Sequence, residues 1–308
     1  MGCILGCLDY LGITMSDCWL YGGTGHAFLT NVAPDLHSRG PTAWRADALD
    51  GLGRNLGYTS TTVFGSGAAG DIERARETAW SSVRDAIDAN YPCYGWKLRT
   101  PEFYVVYGYD ETGYYYCGLD CETGAGPLPW QELGDSEAGI VEMVCVRPGE
   151  AAAPEKTVHD ALSFALRHAR NPVDWIAPGY RSGPLAFSTW ISALETGAAS
   201  DMGTRYNAGA WLECRRNAAR FLAAARTRLS RETTTLLAVA QRHYEAAAAN
   251  LSGVAHVYPW HCYVERGATL PIDERSRAAV SSLRKALRAE TEGLGALSDI
   301  VTHLQATA

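Results

Sequence analysis

The sequence predicts an α+β protein: a mixed first half whose strands pair antiparallel, followed by a second half made of helices alone. Three observations predict it. Short strand-like runs crowd together over residues 93–119, helical apolar spacing takes over after Thr157, and the stretch 148–154 between them is rich in Ala, Pro, Gly and Glu, the composition of a linker. The expected domains are therefore 1–147 and 155–308.

The elements follow in order. Residues 4–11 carry helical apolar spacing and stop at Gly12, and a short helix is expected over 16–21 with Ser16 as its N-cap. Gly22-Gly23-Thr24-Gly25-His26 then reads as a flexible loop. Within 34–70 only residues 58–64 form a convincing strand. Residues 71–90 form a helix with Ala75, Ala79, Val83 and Ile87 on one face, ended by Asn90-Tyr91-Pro92. Strands are expected over 93–98, 103–109 and 114–119, the last two joined by the hairpin Asp110-Glu111-Thr112-Gly113, and a further strand over 141–146. The second half reads as helices over 157–169, 184–194, 206–229, 232–251 and 273–304, packed as a bundle. Its aromatic residues Trp175, Tyr180, Trp190, Tyr206 and Trp211 are expected in packing.

Composition narrows the function classes. With 47% hydrophobic and 20% charged residues the chain is expected to fold throughout. A net charge of -7 without a basic block repels phosphate backbones and anionic lipid, so neither nucleic acid nor membrane is an expected partner. The start Met1-Gly2-Cys3 has no basic n-region, and residues 4–11 are interrupted by Gly6 and Asp9, so the expected location is the cytoplasm. The nine cysteines then read as thiols in a reducing compartment. Cys117-x-x-x-Cys121 has the form of half a metal site, but only His261-Cys262 offers a second half, and no metal is expected. The glycine runs at 22–25 and 65–70 lack the Lys-Ser/Thr helix start of a phosphate loop.

The most specific text is a series of strings: a cysteine on the first helix, Pro92-Cys93-Tyr94-Gly95-Trp96 after a helix, Val105-Val106-Tyr107-Gly108-Tyr109-Asp110 on a strand, and Gly118-Leu119-Asp120. Over residues 1–146 this resembles the papain-like group that includes bacteriocin-processing peptidases and butirosin biosynthesis protein H-like proteins. The resemblance implies a papain-like first domain and cysteine-dependent acyl transfer, as an amide or thioester hydrolase or an acyltransferase, in bacterial specialised metabolism. It implies Cys3 as the nucleophile, at a helix start where the dipole lowers a thiol's pKa, and Asp120 as the residue orienting the base. The implied substrate is a small-molecule or carrier-bound acyl compound, no cofactor is called for, and a homodimer is an expected assembly.

One position departs from the family pattern. Six residues before Gly108, where that pattern has histidine, stands Glu102, whose negative charge raises a neighbouring thiol's pKa. His26 is then an alternative base, Gly25 lines the site beside it, and Tyr94 and Trp96 form an aromatic wall. Alternatively, Glu102 binds a cationic or amine group and the cleft serves binding without catalysis. A third reading frees Cys3 as an N-terminal nucleophile.

Overall fold

The computed structural model describes every residue except 46, 137–138, 171–172, 174, 261–266 and 308. The chain is α+β, and it divides into two compact units: Met1–Ser16 with Gly53–Ala151, and Asp17–Leu52 with Ala152–Ala308. Among the described residues no helix is long and apolar enough to cross a membrane.

The first unit is a six-stranded antiparallel sheet with a helix on each face. Its strands are β2 (Leu56–Ser66), β3 (Cys93–Trp96), β4 (Phe103–Tyr109), β5 (Gly113–Cys117), β6 (Ala125–Pro129) and β7 (Ile140–Ala151), in the spatial order β2-β7-β3-β4-β5-β6. Because side chains alternate along a strand, each face has its own set. Cys93, Tyr104, Val106, Met143 and Cys145 enter one core with Ala75, Ala79, Val83 and Ala86 of α4 (Ile72–Asp88). The alternate residues belong to the face where α1 (Gly2–Tyr10) packs on β3, β4 and β7, with Gly6 close to Val105.

One reading of this unit needs correction, and one strand adds to it. The expected linker 148–154 is largely strand, since β7 runs to Ala151 and pairs Pro148 with Tyr58 and Ala151 with Leu56. Proline is tolerated there because of direction. The Val146 N–H points at β3, bonding Pro92 at 2.9 Å, so the Pro148 nitrogen two residues on points the same way, past the end of β3, where no N–H is needed. β6 is a strand the sequence reading does not contain; as the outermost strand it pairs on one side only and accommodates its prolines.

The second unit is built on α5 (Pro154–Arg170), α6 (Gly183–Thr196), α7 (Asp201–Arg226), α8 (Arg231–Val257) and α9 (Glu274–Thr307). It also contains α2 (Asp17–Gly23) and α3 (Asp47–Gly53), with β1 (Asn31–Val32) paired to β8 (Arg181–Ser182). The contiguous division at 147 therefore does not describe the chain. Residues 17–52 belong with the helices because their backbone supplies buried partners. Fully buried Arg215 on α7 donates Nη1 to the carbonyls of Ala27 (3.1 Å) and Leu29 (2.6 Å) and Nη2 to Thr30, while its Nε and Nη2 bind Glu290 of α9 at 2.7 and 2.8 Å. The expected flexible loop is likewise packed: Gly22 and Gly23 end α2, Thr24 donates to the Leu20 carbonyl at 2.7 Å, and His26–Phe28 is a 3₁₀ turn. A Cβ on Gly22 would meet the Phe221 ring at 2.0 Å, so glycine here permits close helix packing.

Candidate functional site

Cys3 lies in the first turn of α1, partly exposed. The register identifies what shares its side of the sheet. Tyr94 pairs with Val105, Trp96 with Phe103 and Val105 with Cys117, so these residues stand on one face, opposite the α4 core. Their rings form a cluster, with Tyr94 and Trp96 each edge-on to Phe103 at centroid distances of 5.8 and 5.1 Å. Glu102, half-buried, immediately precedes β4 and is set by two backbone bonds: its N–H donates to Thr100 (2.7 Å) and its carbonyl accepts from Lys97 (2.8 Å).

The electrostatics oppose an activated thiolate. Burial raises the Cys3 pKa; the N-terminal ammonium pulls it back, and the charges of Cys117 and Glu102 raise it further. The lowering expected from the helix start is outweighed because withdrawing a thiolate from water costs more than one short helix's dipole returns. Cys7, one turn deeper, is pushed up to about 12, chiefly by burial. Glu102 is raised as well, again mainly by burial and against the pull of the N-terminal ammonium, and its carboxylate makes no hydrogen bond or ion pair among the described residues.

The remaining predicted residues are elsewhere. Asp120 is exposed beyond β5 in a left-handed turn (φ 63°), where its carbonyl accepts from Arg99 at 3.1 Å; its carboxylate makes no hydrogen bond among the described residues. His26 and Gly25 belong to the second unit. There His26 stands 5.5 Å from both the Tyr21 and Trp44 rings, its buried Nδ1 lacks a hydrogen-bond partner, and burial, with the charges of His168 and Arg215, lowers its pKa to about 3. Gly25 has φ 73°, and a Cβ there would meet Phe164 at 2.6 Å. The first unit contains none of the eight histidines. Cys121 is buried, His261 and Cys262 lie outside the described residues, and among the described residues no three His, Cys, Asp or Glu side chains gather as a metal site.

Two features escaped the sequence reading. Cys117 is an electrostatic neighbour of Cys3; counting back from the Asp110–Gly113 turn would set Cys117 against Val106, and the bulge at Tyr107 moves it to Val105, so the sequence carries no signal for it. Asp110, part of the most specific string, pins that turn: its carboxylate accepts from the Thr112 and Gly113 amides (2.8 and 3.1 Å) and from the Tyr115 hydroxyl (2.8 Å), which lowers its pKa. In the second unit a groove of about 530 Å³ runs between α6 and α9 over Leu194 and Val280, rimmed by Arg277, Arg284, Lys285 and Arg288, and none of the predicted site residues lines it.

Fold and site together define a class: an α+β protein with a thiol and a half-buried carboxylate at one end of an antiparallel sheet. No protein-family model matches the chain, and no curated protein matches it significantly.

Proposed function

We propose that the first unit binds a small molecule bearing an amine or other cationic group, in a papain-like cleft that does not itself carry out catalysis. One observation carries the reading: Glu102 is a half-buried carboxylate without a hydrogen-bond or ion-pair partner among the described residues. Leaving such a group unpaired is unfavourable, and a cationic ligand relieves it. The aromatic cluster of Tyr94, Trp96 and Phe103 on the adjoining strands supplies ring faces that suit an ammonium. The papain-like label rests on the resemblance of the Val105–Asp110 string and its neighbours.

The test is a thermal-shift screen of the full chain against primary-amine and quaternary-ammonium compounds, followed by titration of any hit. Glu102→Gln is expected to weaken binding at least about tenfold, while Cys3→Ala leaves it within about twofold. Equal affinity for Glu102→Gln and the unaltered protein would end the reading.

A second reading, cysteine-dependent acyl transfer, is favoured by the place of Cys3 at the start of α1. It requires a group that removes the thiol proton, and the first unit offers Glu102 but no imidazole. Competitive labelling with limiting iodoacetamide and peptide mapping decides it. If Cys3 alkylates no faster than the other thiols, acyl transfer through Cys3 is excluded.

A further inference from the structure

Two cysteines on the α4 face of the sheet stand directly opposite one another. The β3–β7 register pairs Cys93 with Cys145, and Tyr94 with Val144. Bonded and non-bonded pairs alternate along an antiparallel ladder, and the Val146 N–H bonds the Pro92 carbonyl at 2.9 Å, so Cys93 and Cys145 form a non-hydrogen-bonded pair. At such pairs the Cα atoms approach to about 4.5 Å, within the window of about 4.4–6.8 Å that a disulfide spans. The side chains already meet: the Cys93 thiol donates to the Cys145 sulfur at 3.3 Å, and both are free and buried. Neither has a part in the Cys3–Glu102 site, which occupies the opposite face of the sheet.

We infer that Cys93 and Cys145 are a reversible oxidation site that closes to a cross-strand disulfide, with hydrogen peroxide as the oxidant. The hydrogen bond divides the labour between them. By accepting a hydrogen bond from the Cys93 thiol, Cys145 has its pKa lowered while that of Cys93 is raised, so Cys145, which otherwise donates its own proton to the Ser82 carbonyl at 3.6 Å, is the thiol that ionises to the attacking thiolate. That thiolate attacks one peroxide oxygen, the O–O bond breaks, and Cys145 becomes a sulfenic acid as hydroxide leaves. The Cys93 sulfur then attacks the Cys145 sulfur. The S–S bond forms, the S–O bond breaks, and the Cys93 proton departs with the hydroxide as water. In sum the two thiols lose two electrons and two protons, and one peroxide becomes two waters. Peroxide is small enough to reach buried sulfur during local opening of the sheet, whereas a bulky disulfide oxidant is not. A small dithiol reductant reaches the bond through the same local opening and reverses it by exchange.

The bond would tie β3 to β7 and enclose the chain segment carrying β4, β5 and β6. It therefore raises the unfolding temperature of the first unit by constraining its unfolded chain.

The experiment treats the full-length protein with a small excess of hydrogen peroxide, alkylates the remaining thiols under denaturing conditions and maps the peptides. The expected result is a Cys93–Cys145 cross-linked peptide that disappears on reduction, together with a higher unfolding temperature before reduction than after it. The same cross-link is expected in Cys3→Ser, whose strand pair is intact. Recovery of Cys93 and Cys145 as alkylated thiols, while other cysteines are oxidised, overturns the inference. So does a cross-link joining either of them to a different cysteine. In Cys93→Ala peroxide is expected to leave the unfolding temperature unchanged; should that variant not fold, the peptide map of the unaltered protein still decides.

Discussion

The two units treat buried charge in opposite ways. In the second, Arg215 and Glu290 are wholly buried and answer each other with two short hydrogen bonds, while the remaining guanidinium donors are taken up by Ala27, Leu29 and Thr30. In the first, Glu102 is only half-buried yet has no such partner among the described residues. A satisfied buried pair acts as a fastener, fixing which segments pack together. A half-buried carboxylate without a protein partner is instead a feature that folding alone does not require, which is why the functional reading rests on the less buried of the two.

The sharpest way to break that contrast is to remove one half of the fastener. Arg215→Met leaves Glu290 buried without a counter-ion and is expected to cost about 3–5 kcal/mol of stability, read by chemical denaturation. The double variant Arg215→Met with Glu290→Leu should regain most of it. A single-variant loss under about 1 kcal/mol would mean that the pair does not hold residues 17–52 in place.

A smaller effect separates the units by pH. Buried His168 has its pKa lowered to about 4, by burial first and then by the Arg215 charge. The unfolded chain binds this proton more readily, so the stabilisation is complete above about pH 6.5 and is lost as pH falls toward about 4, at no more than about 1.4 kcal/mol per pH unit. Unfolding temperatures across that range should fall with acid, and His168→Phe should flatten the slope.

Glu102 has the opposite sign. Its folded pKa lies above the unfolded value, so its favourable contribution belongs to low pH and disappears as pH rises through the raised pKa. Glu102→Gln is thus expected to be as stable as the unaltered protein in acid and slightly more stable at neutral pH, a crossover visible in thermal melts. A variant less stable at neutral pH would show that the carboxylate is a structural partner after all. The smallest effect is expected where charge is solvated: Tyr109→Phe removes a 2.7 Å bond to Asp88 at the surface and should change stability by less than about 0.5 kcal/mol in denaturant titration.

Much of the architecture was legible as pattern. The α4 face, the hairpin at Asp110–Gly113 and the order of the five later helices follow from periodicity and turn chemistry, which act over a few residues. The candidate site was legible only in part. Tyr94 and Trp96 share a face because residues two apart on a strand must, and Glu102 stood out as a carboxylate before an apolar strand. The thiol pair Cys93–Cys145 and the neighbourhood of Cys3 and Cys117 were not visible, because the first depends on register between strands far apart in the chain and the second on where the first helix packs on the sheet.

The sequence by itself determined the local elements and the chemistry available: an α+β chain, a carboxylate before an apolar strand, and cysteines on strands and on the first helix. Tertiary structure decided which of those groups meet. It assigned residues 17–52 to the helical unit through the donors of one buried arginine, turned a glycine run into a packing surface against Phe221, and extended β7 through a segment that reads as linker. The physical reason is common to all three. Burial, ladder register and hydrogen-bond satisfaction depend on partners that local periodicity does not specify, so they are settled only when the chain closes on itself.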